Sequence, residues 1–438
     1  MITALRGPLA YCTDDPFLAG ATALRYERDG LLICRDGIVD AVGAYHALRG
    51  QLPDDCAVSD YSDCLIVPGF VDTHIHYVQT GIIGAQGRQL LDWLERYTFP
   101  AEIAFSDPDE AKRTASTFCD ELLRHGTTTA LVFCSVHPGS VDAIFEQAAR
   151  RNMLLIAGKV LMDRNAPEPL RDTAQTGYDQ SKALLRKWHR NGRCRYAITP
   201  RFAATSSPEQ LELAGALWGE YPDVHLHTHI AENRNEIAWV RELFPERVNY
   251  LDVYAHYGLT GRRAVLAHGV HLDEPALCRC HETGTALSHC PTSNLFLGSG
   301  LFRMRHVRDP RRPVQVGLGT DIGAGTSFSL LATMGEAYKV SQMVGEPIDA
   351  IEAFYLATLG GARALDLADR IGTFASGKDA DCVVLDPRAT PLLAFRTARA
   401  AGIEEMLAVL MTLGDDRCVR ATYVAGSPVH ERDRPGDR

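Results

Sequence analysis

The stretch Pro68-Gly69-Phe70-Val71-Asp72-Thr73-His74-Ile75-His76 predicts a turn that runs into a β-strand with two histidines at its end. Residues two apart on a strand point to the same face, so His74 and His76 are expected to present their rings together. A single histidine is more often a packed or surface residue than a ligand, but two on one face at a strand end favour a metal. We therefore expect the ends of the strands to carry the residues that bind the metal.

Apolar β-rich runs alternate with helical patterns through the middle of the chain. The predicted strands are 65–74, 128–134, 153–161, 195–200, 224–229, 263–268, 285–289 and 314–320. Amphipathic patterns predict helices at 108–124, 140–151, 176–190 and 208–219. Several strands are continuous apolar runs, which is typical of parallel strands buried on both faces. The alternation predicts a distorted (β/α)₈ TIM barrel, with a doubly wound open sheet as the structural alternative.

Both ends of the chain are β-rich and predict a second, smaller domain. Residues 21–43 alternate around the turn Arg35-Asp36-Gly37, which is a hairpin signal, and 380–385 and 418–430 also predict strands. Neither end is long enough for a domain alone. We therefore expect a β-sandwich built from both ends, with the barrel inserted between them and its longest insertion over the barrel mouth. The expected segments are 1–67, 68–371 and 372–438, and the insertion is 79–113.

Composition excludes several classes of protein. The 438 residues carry a net charge of −10, which argues against a nucleic-acid partner or an anionic membrane surface. No apolar run is long enough to span a bilayer, and the first residues lack the basic and apolar pattern of a signal peptide. Twelve scattered cysteines without a C-x-x-C pair predict reduced thiols in a cytoplasmic protein.

The segment Val224-His225-Leu226-His227-Thr228-His229 offers three histidines on one strand face. Strand geometry alone does not choose among them. The last of them is nearest the carboxyl end of the strand, where barrel active sites lie, and Glu232 follows three residues later. We therefore select His229 and interpret His225 and His227 as packing inside the barrel.

Two later strands end in further candidates. His268 closes the run from Ala264, and Asp321 follows the run from Val316. Asp321 has an alternative role as a helix N-cap, but the strand end before it and the glycines after it favour a carboxylate that faces a metal. A closed barrel brings all strand ends to one ring, so the separated fragments are expected to meet there.

Longer stretches carry a resemblance to a known family. They are Pro68–Tyr77 with Gln79, Leu90–Glu102, Thr199–Ala203, His229–Asn233, Ser288–Gly300 and Gly319–Gly325. On these motifs the chain resembles the amidohydrolase superfamily, whose members are metal-dependent hydrolases on a distorted barrel with a flanking β-sandwich. Within that superfamily it resembles the guanine deaminases. The His-x-His pair indicates only the superfamily, whereas the Leu90–Glu102 and Thr199–Ala203 stretches are much more specific motifs.

The resemblance implies hydrolysis of guanine to xanthine and ammonia, as in purine catabolism, by a homodimer. It implies Glu232 as the proton shuttle and His268 beside the hydrolytic water. The implied metal ligands are His74, His76, His229 and Asp321, with Zn²⁺ as the expected ion and Fe²⁺ as the alternative. The implied substrate contacts are Gln79, Trp93, Arg201 and Phe202, together with Glu232 and His268.

Elementary chemistry supports these roles. Bound Zn²⁺ can lower the pKa of water from 15.7 to ~7, and Asp321 can accept the proton that the water loses. Glu232 can protonate ring N3 of guanine, and His268 can stabilise the developing oxyanion. The planar fork of Arg201 matches the O6 and N7 acceptors of guanine, although a surface salt bridge is its alternative role. Trp93 is expected either to stack on the base or to pin the insertion.

Two other functions fit parts of the sequence. The chain could deaminate another amino-heterocycle of the 8-oxoguanine, triazine or cytosine type, or hydrolyse a cyclic amide. It could also be a non-catalytic scaffold that binds partners. A scaffold is expected to have lost ligands, and the sequence retains all of them together with Glu232.

Overall fold

A computed structural model describes residues 1–87 and 89–432. The strands are β1 Ile2–Cys12, β2 Leu24–Arg35, β3 Ile38–Ala44, β4 Val58–Asp60, β5 Leu65–Pro68, β6 Phe70–His76, β7 Thr127–Phe133, β8 Leu154–Gly158, β9 Val160–Leu161, β10 Arg195–Pro200, β11 His225–Ile230, β12 Ala264–His268, β13 Ala286–His289, β14 Val316–Leu318, β15 Cys382–Leu385, β16 Val419–Val424 and β17 Ser427–Glu431.

The α-helices lie mostly between the strands of the central region. They are α1 Pro16–Ala19, α2 Tyr45–Leu48, α3 Leu90–Trp93, α4 Phe99–Ile103, α5 Pro108–Arg124, α6 Pro138–Arg150, α7 Ala174–Trp188, α8 Pro208–Glu220, α9 Arg234–Leu243, α10 Tyr250–His256, α11 Glu274–Thr283, α12 Pro291–Phe296, α13 Met304–Val307, α14 Leu330–Met343, α15 Ala350–Leu356, α16 Leu359–Ala364, α17 Pro391–Thr397 and α18 Ile403–Leu413. Within the described ranges, no helix is both long and apolar enough to cross a membrane.

The central sheet is a parallel barrel. Its strands pair in the order β14-β13-β12-β11-β10-β8-β7-β6, and β9 extends the third barrel strand by pairing with β10. Two hydrogen bonds connect the first barrel strand to the last one and to the residues that follow it. Thr73 Oγ1 donates to Leu318 O at 3.0 Å, and Asp321 N donates to His74 O at 2.9 Å. These contacts bring the two sheet edges together. The predicted (β/α)₈ barrel is confirmed, and the open sheet is not the fold.

Strands from both ends of the chain form the second sheet. Its hydrogen-bonded path is β17-β16-β15-β5-β1-β2-β3, with β4 beside β1. The predicted hairpin joins β2 to β3 through Asp36 and Gly37, whose φ angles of 50° and 86° both lie in the left-handed region that such a turn needs. The β domain predicted from both ends is therefore confirmed.

The predicted strand 65–74 is wrong in one respect, because two strands occupy it. β5 pairs with β1 and β15 in the terminal sheet, whereas β6 pairs with β7 in the barrel. Gly69 separates them at a close approach, since a Cβ there would lie 2.2 Å from Thr128 Oγ1. The chain therefore changes from one domain to the other at Pro68-Gly69, where the sequence indicates a turn but not a change of sheet.

The segment after β6 lies over the carboxyl end of the barrel. It consists of short helical turns, including α3, α4 and a π-helical turn at Leu94–Thr98. Trp93 and Phe99 from this segment pack in one apolar cluster with Phe133 at the end of β7. The cluster anchors the segment above the strand ends, as predicted for the insertion after the first barrel strand.

Candidate active site

The candidate residues converge at the carboxyl ends of the barrel strands. His74 and His76 lie on β6, His229 on β11, His268 at the end of β12, and Asp321 just after β14. A cavity opens there. Its lining includes nine of the predicted residues, which are His76, Gln79, Trp93, Arg201, Phe202, His229, Glu232, His268 and Asp321. His74 lies directly behind them and is fully buried.

Ring nitrogens and one carboxylate face one another at short range. Asp321 Oδ1 lies 3.1 Å from His74 Nε2 and 3.5 Å from His76 Nε2. His76 Nε2 is also 3.1 Å from His229 Nε2. The four predicted ligands thus meet at one point, although they come from three separate strand ends.

Hydrogen bonds at Nδ1 of two histidine rings determine which ring nitrogen carries the proton. His229 Nδ1 lies 2.7 Å from Arg201 O and His268 Nδ1 lies 2.9 Å from Asn294 Oδ1, and both oxygens can only accept. In the neutral form of each ring the proton is therefore on Nδ1, and Nε2 carries the lone pair. Second partners of this kind usually orient histidines that bind metals.

The arrangement fits a divalent cation. Burial holds the pKa values of His74, His76 and His229 well below the ordinary value, so the rings are neutral and can act as ligands. His74 Nε2 is buried and has no hydrogen-bond partner among the described residues. Neutral lone pairs that face one another and a carboxylate repel unless a positive charge lies between them. Three imidazoles and a carboxylate are a donor set that Zn²⁺ accepts.

The three histidines of β11 have different environments. His229 joins the cluster of ring nitrogens, as selected from the sequence. His225 Nε2 bonds Leu365 O at 2.8 Å at the opposite end of the strand. His227 is buried as expected, but the interpretation as packing alone is incomplete, because its Nε2 lies 2.8 Å from His74 Nδ1. When His74 Nδ1 donates this hydrogen bond, Nε2 of the same neutral ring has no proton and can bind a metal.

Glu232 is held in the cavity by both its side chain and its backbone. Ser299 Oγ donates to its Oε1 at 2.9 Å, and its Oε2 lies 3.5 Å from His268 Nε2. The Glu236 carboxylate caps α9 and accepts from the backbone N–H of Glu232 at 2.9 Å. Burial, followed by the charge of Asp321, raises the pKa of Glu232 to about 8. A carboxyl group with this pKa carries a proton at neutral pH and can donate it.

Backbone strain is present at the same strand ends. Ala231, His268 and Asp321 have φ angles of 47°, 72° and 51°, in the left-handed region that residues with a Cβ rarely adopt. Such conformations persist where the surrounding structure imposes them, and they cluster at functional sites. Here they turn the chain at the mouth of β11, β12 and β14.

Asp72 joins the first and last barrel strands beneath the cluster. It is fully buried, and its carboxylate accepts from the backbone N–H groups of His74 at 3.1 Å and Thr320 at 3.2 Å, as well as from the Thr320 hydroxyl. Burial raises its pKa to about 7. These bonds fix the backbone of His74 relative to that of Asp321.

Three more residues predicted to contact a base, Gln79, Trp93 and Arg201, also line the cavity. Trp93 fixes its ring by donating from Nε1 to Ala85 O at 2.9 Å. Arg201 does not form the surface salt bridge of its alternative role, because it is 3 % exposed and pairs with the fully buried Glu102. Gln79 Nε2 donates to the same Glu102 carboxylate at 3.3 Å. The Gln79 and Arg201 side chains are therefore fixed by one acidic residue.

Several residues of this site have no role predicted from the sequence. They are Asp72, Glu102, Glu236, Asn294 and Ser299. A local signal existed for Glu236 alone, since Asn233 followed by Glu three positions later matches the capping box at the start of a helix. The others act through contacts between distant segments, which no local pattern encodes.

Comparisons with known proteins agree with this geometry. A family model described as "Amidohydrolase family" matches residues 65–429. Guanine deaminase of Escherichia coli K12 is 54% identical over 413 residues, which cover 94% of this chain and 94% of that protein.

Solved structures of guanine deaminases are also similar to this chain. The E. coli guanine deaminase structure has a TM-score of 0.96 and 53% identity, covering 98% of this chain and 100% of that one. A guanine deaminase from C. acetobutylicum, solved with guanine bound in the active site, has a TM-score of 0.88 and 28% identity, and covers 98% and 100% of the two chains.

Proposed function

The chain belongs to the amidohydrolase family, and on that premise we propose that it hydrolyses guanine at C2 to xanthine and ammonia. One observation carries the proposal. The cavity that contains Glu232 and the histidine cluster is also lined by Arg201 and Gln79, whose side chains are held in place by Glu102. A purine that binds to Arg201 and Gln79 would lie in the same cavity as the cluster.

Recognition of guanine would depend on Arg201. Both bonds to Glu102 leave from Nη1, so the Nη2 and Nε side of the guanidinium is the part that a purine edge can use. Guanine presents acceptors at O6 and N7, which match this donor fork. An 8-oxoguanine carries a hydrogen on N7 and would place a donor against a donor there, which favours guanine as the substrate.

The proton transfers would depend on the two carboxyl groups. In this proposal His74, His76, His229 and Asp321 hold a divalent ion, Zn²⁺ by preference, which when bound would lower the pKa of water from 15.7 to ~7. Asp321 accepts a proton from the attacking water at a carboxylate oxygen, and the raised pKa of Glu232 lets it donate a proton to ring N3.

His268 would orient the attacking water. Its Nδ1 donates to Asn294 Oδ1, so in the neutral form of the ring Nε2 can accept a hydrogen bond from the water. The proton that Asp321 took from the water then passes to the amine, which leaves as ammonia, and the C2 hydroxyl proton passes to the Glu232 carboxylate as the carbonyl of xanthine forms.

Turnover of guanine is the direct test. The purified, metal-replete protein is expected to convert guanine to xanthine with one ammonia per xanthine, followed by ultraviolet absorbance and an ammonia assay. Addition of a chelator is expected to stop the reaction, and added Zn²⁺ to restore it. The control panel contains 8-oxoguanine, cytosine and an amino-triazine. Turnover of one of these without turnover of guanine would overturn the proposed substrate and keep the deaminase chemistry.

Arg201→Ala tests the recognition of the base. We expect kcat/KM for guanine to fall about 10- to 100-fold, because a well-aligned bidentate contact is lost. Metal content, measured by mass spectrometry of the purified protein, is expected to stay full. Arg305→Ala is the matched control, because Arg305 also forms an ion pair, with Glu352, but does not line the cavity. Loss of the metal in Arg201→Ala would contradict the assignment and make this residue part of the metal site.

A cytoplasmic location and a homodimer belong to the same proposal. All twelve cysteines are free thiols, which supports a reducing compartment. The homodimer is supported by the resemblance to the guanine deaminases.

A further inference from the structure

Glu102 is a buried acid at the back of the cavity. Its carboxylate is fully buried, and Arg201 Nη1 donates to Oε1 at 2.9 Å and to Oε2 at 2.7 Å. Gln79 Nε2 donates to Oε1 at 3.3 Å. An acid without solvent contact needs a paired cation and further donors, and here both come from residues that line the cavity.

The contact restricts the movement of the Arg201 guanidinium. Both contacts leave from Nη1, so they hold this end of the guanidinium against the buried carboxylate. The aromatic ring of Phe99 lies 5.7 Å from Arg201 Cζ and limits the guanidinium on another side. The remaining N–H groups therefore keep one direction before any ligand arrives.

The same acid determines which end of the Gln79 amide faces it. A carboxylate accepts only from the amide nitrogen, so the oxygen must point elsewhere. That oxygen lies beside Gly323, where a Cβ would be only 2.2 Å from it. Gly323 has a φ of 118°, so a larger residue there is disfavoured by its backbone as well. The pattern of donors and acceptors that Gln79 can offer is thus decided by Glu102.

We propose that Glu102 is a positioning residue that selects guanine by holding Arg201 and Gln79 in the orientation that matches its purine edge. The proposal rests on the proposed function. Glu102 itself does not line the cavity, so its effect on the substrate passes through these two side chains. Groups held in advance cost less to order when the ligand binds, and a small misplacement is costly.

A double-mutant cycle tests this role. Glu102→Gln keeps the size of the side chain but loses the charge, and its KM for guanine is expected to rise about 10- to 100-fold, with a smaller change in kcat. Glu102→Asp, which keeps the charge, is expected to recover part of the loss. When Glu102→Gln is added to Arg201→Ala, kcat/KM is expected to fall by clearly less than Glu102→Gln alone causes, because one of the two side chains through which Glu102 acts is already gone while Gln79 remains.

Controls separate positioning from folding. Glu352→Gln removes a carboxylate that is also buried and paired with an arginine, Arg305, away from the cavity. It is expected to lower the melting temperature as Glu102→Gln does, with KM unchanged. Equal KM values in wild type and Glu102→Gln, or additive effects in the cycle, would overturn the positioning role.

Binding measured without turnover distinguishes the two proposals. Calorimetric titration with xanthine is expected to show weaker binding to Glu102→Gln than to wild type, even when a variant is slow. A wild-type protein that neither binds xanthine nor hydrolyses guanine would overturn the proposed function. A wild type that does both, with Glu102→Gln binding xanthine equally well, would overturn only the role of Glu102.

Discussion

Replacing Glu232 by Gln should lower kcat about 10²- to 10⁴-fold while the metal content stays full. Glu232 is almost fully buried, accepts from Ser299 Oγ at 2.9 Å, and lies 3.5 Å from His268. Gln fills the same volume but has no proton to transfer at neutral pH, so ring N3 of guanine would stay unprotonated. The fall is measured as initial rate of xanthine formation in protein whose metal content has been determined.

The control for this variant is a carboxylate on the next helix. Glu242 is exposed on α9 and lies outside the cavity lining, so Glu242→Gln is expected to leave kcat unchanged. Retention of near wild-type kcat by Glu232→Gln would remove Glu232 from the proton path. Loss of metal in that variant would make it part of the metal site instead.

The strand ends are the part of this site that local sequence can predict. A period of two fixes which residues of a strand share a face, and a parallel barrel brings every strand end to one ring. These two facts are enough to bring His74, His229, His268 and Asp321 together from separate fragments. They also favour His229 over its two neighbours on the strand, because only the last position reaches the mouth.

Contacts between distant segments are the part that sequence does not predict. Glu102 and Arg201 are 99 positions apart, and Ser299 and Glu232 are 67 apart. The sequence indicates the secondary structure of the segment that contains each residue. No regular spacing of residues, however, predicts which two segments contact each other. The residues that orient the site are for this reason harder to identify than the residues that line it.

Backbone conformation is equally inaccessible to a local pattern. His268 and Asp321 adopt positive φ angles that their own side chains disfavour. The tertiary structure imposes these angles, for example through the bond from Asp321 N to His74 O. The division of the predicted strand at Gly69 has a similar cause, since its two halves pair with different sheets.

Replacing His76 by Ala should deprive the protein of its metal and its activity together. His76 Nε2 lies within 3.5 Å of Asp321 Oδ1 and 3.1 Å of His229 Nε2, so its loss opens one side of the proposed donor set. Changes to residues that only orient a ligand cost about 10- to 100-fold in metal affinity, and loss of a ligand is expected to cost more. Metal affinity is measured by competition with a chromogenic chelator, independently of turnover.

An exposed histidine provides the control for His76→Ala. His46 is exposed in the terminal β domain, and His46→Ala is expected to bind metal and turn over guanine as wild type does. Wild-type metal affinity in His76→Ala would exclude this residue as a ligand. The melting temperatures of metal-free wild type and metal-free His76→Ala are compared as well. A lower melting temperature for the metal-free variant would mean that His76 is needed for packing, whereas a loss confined to the metal-bound form identifies a ligand.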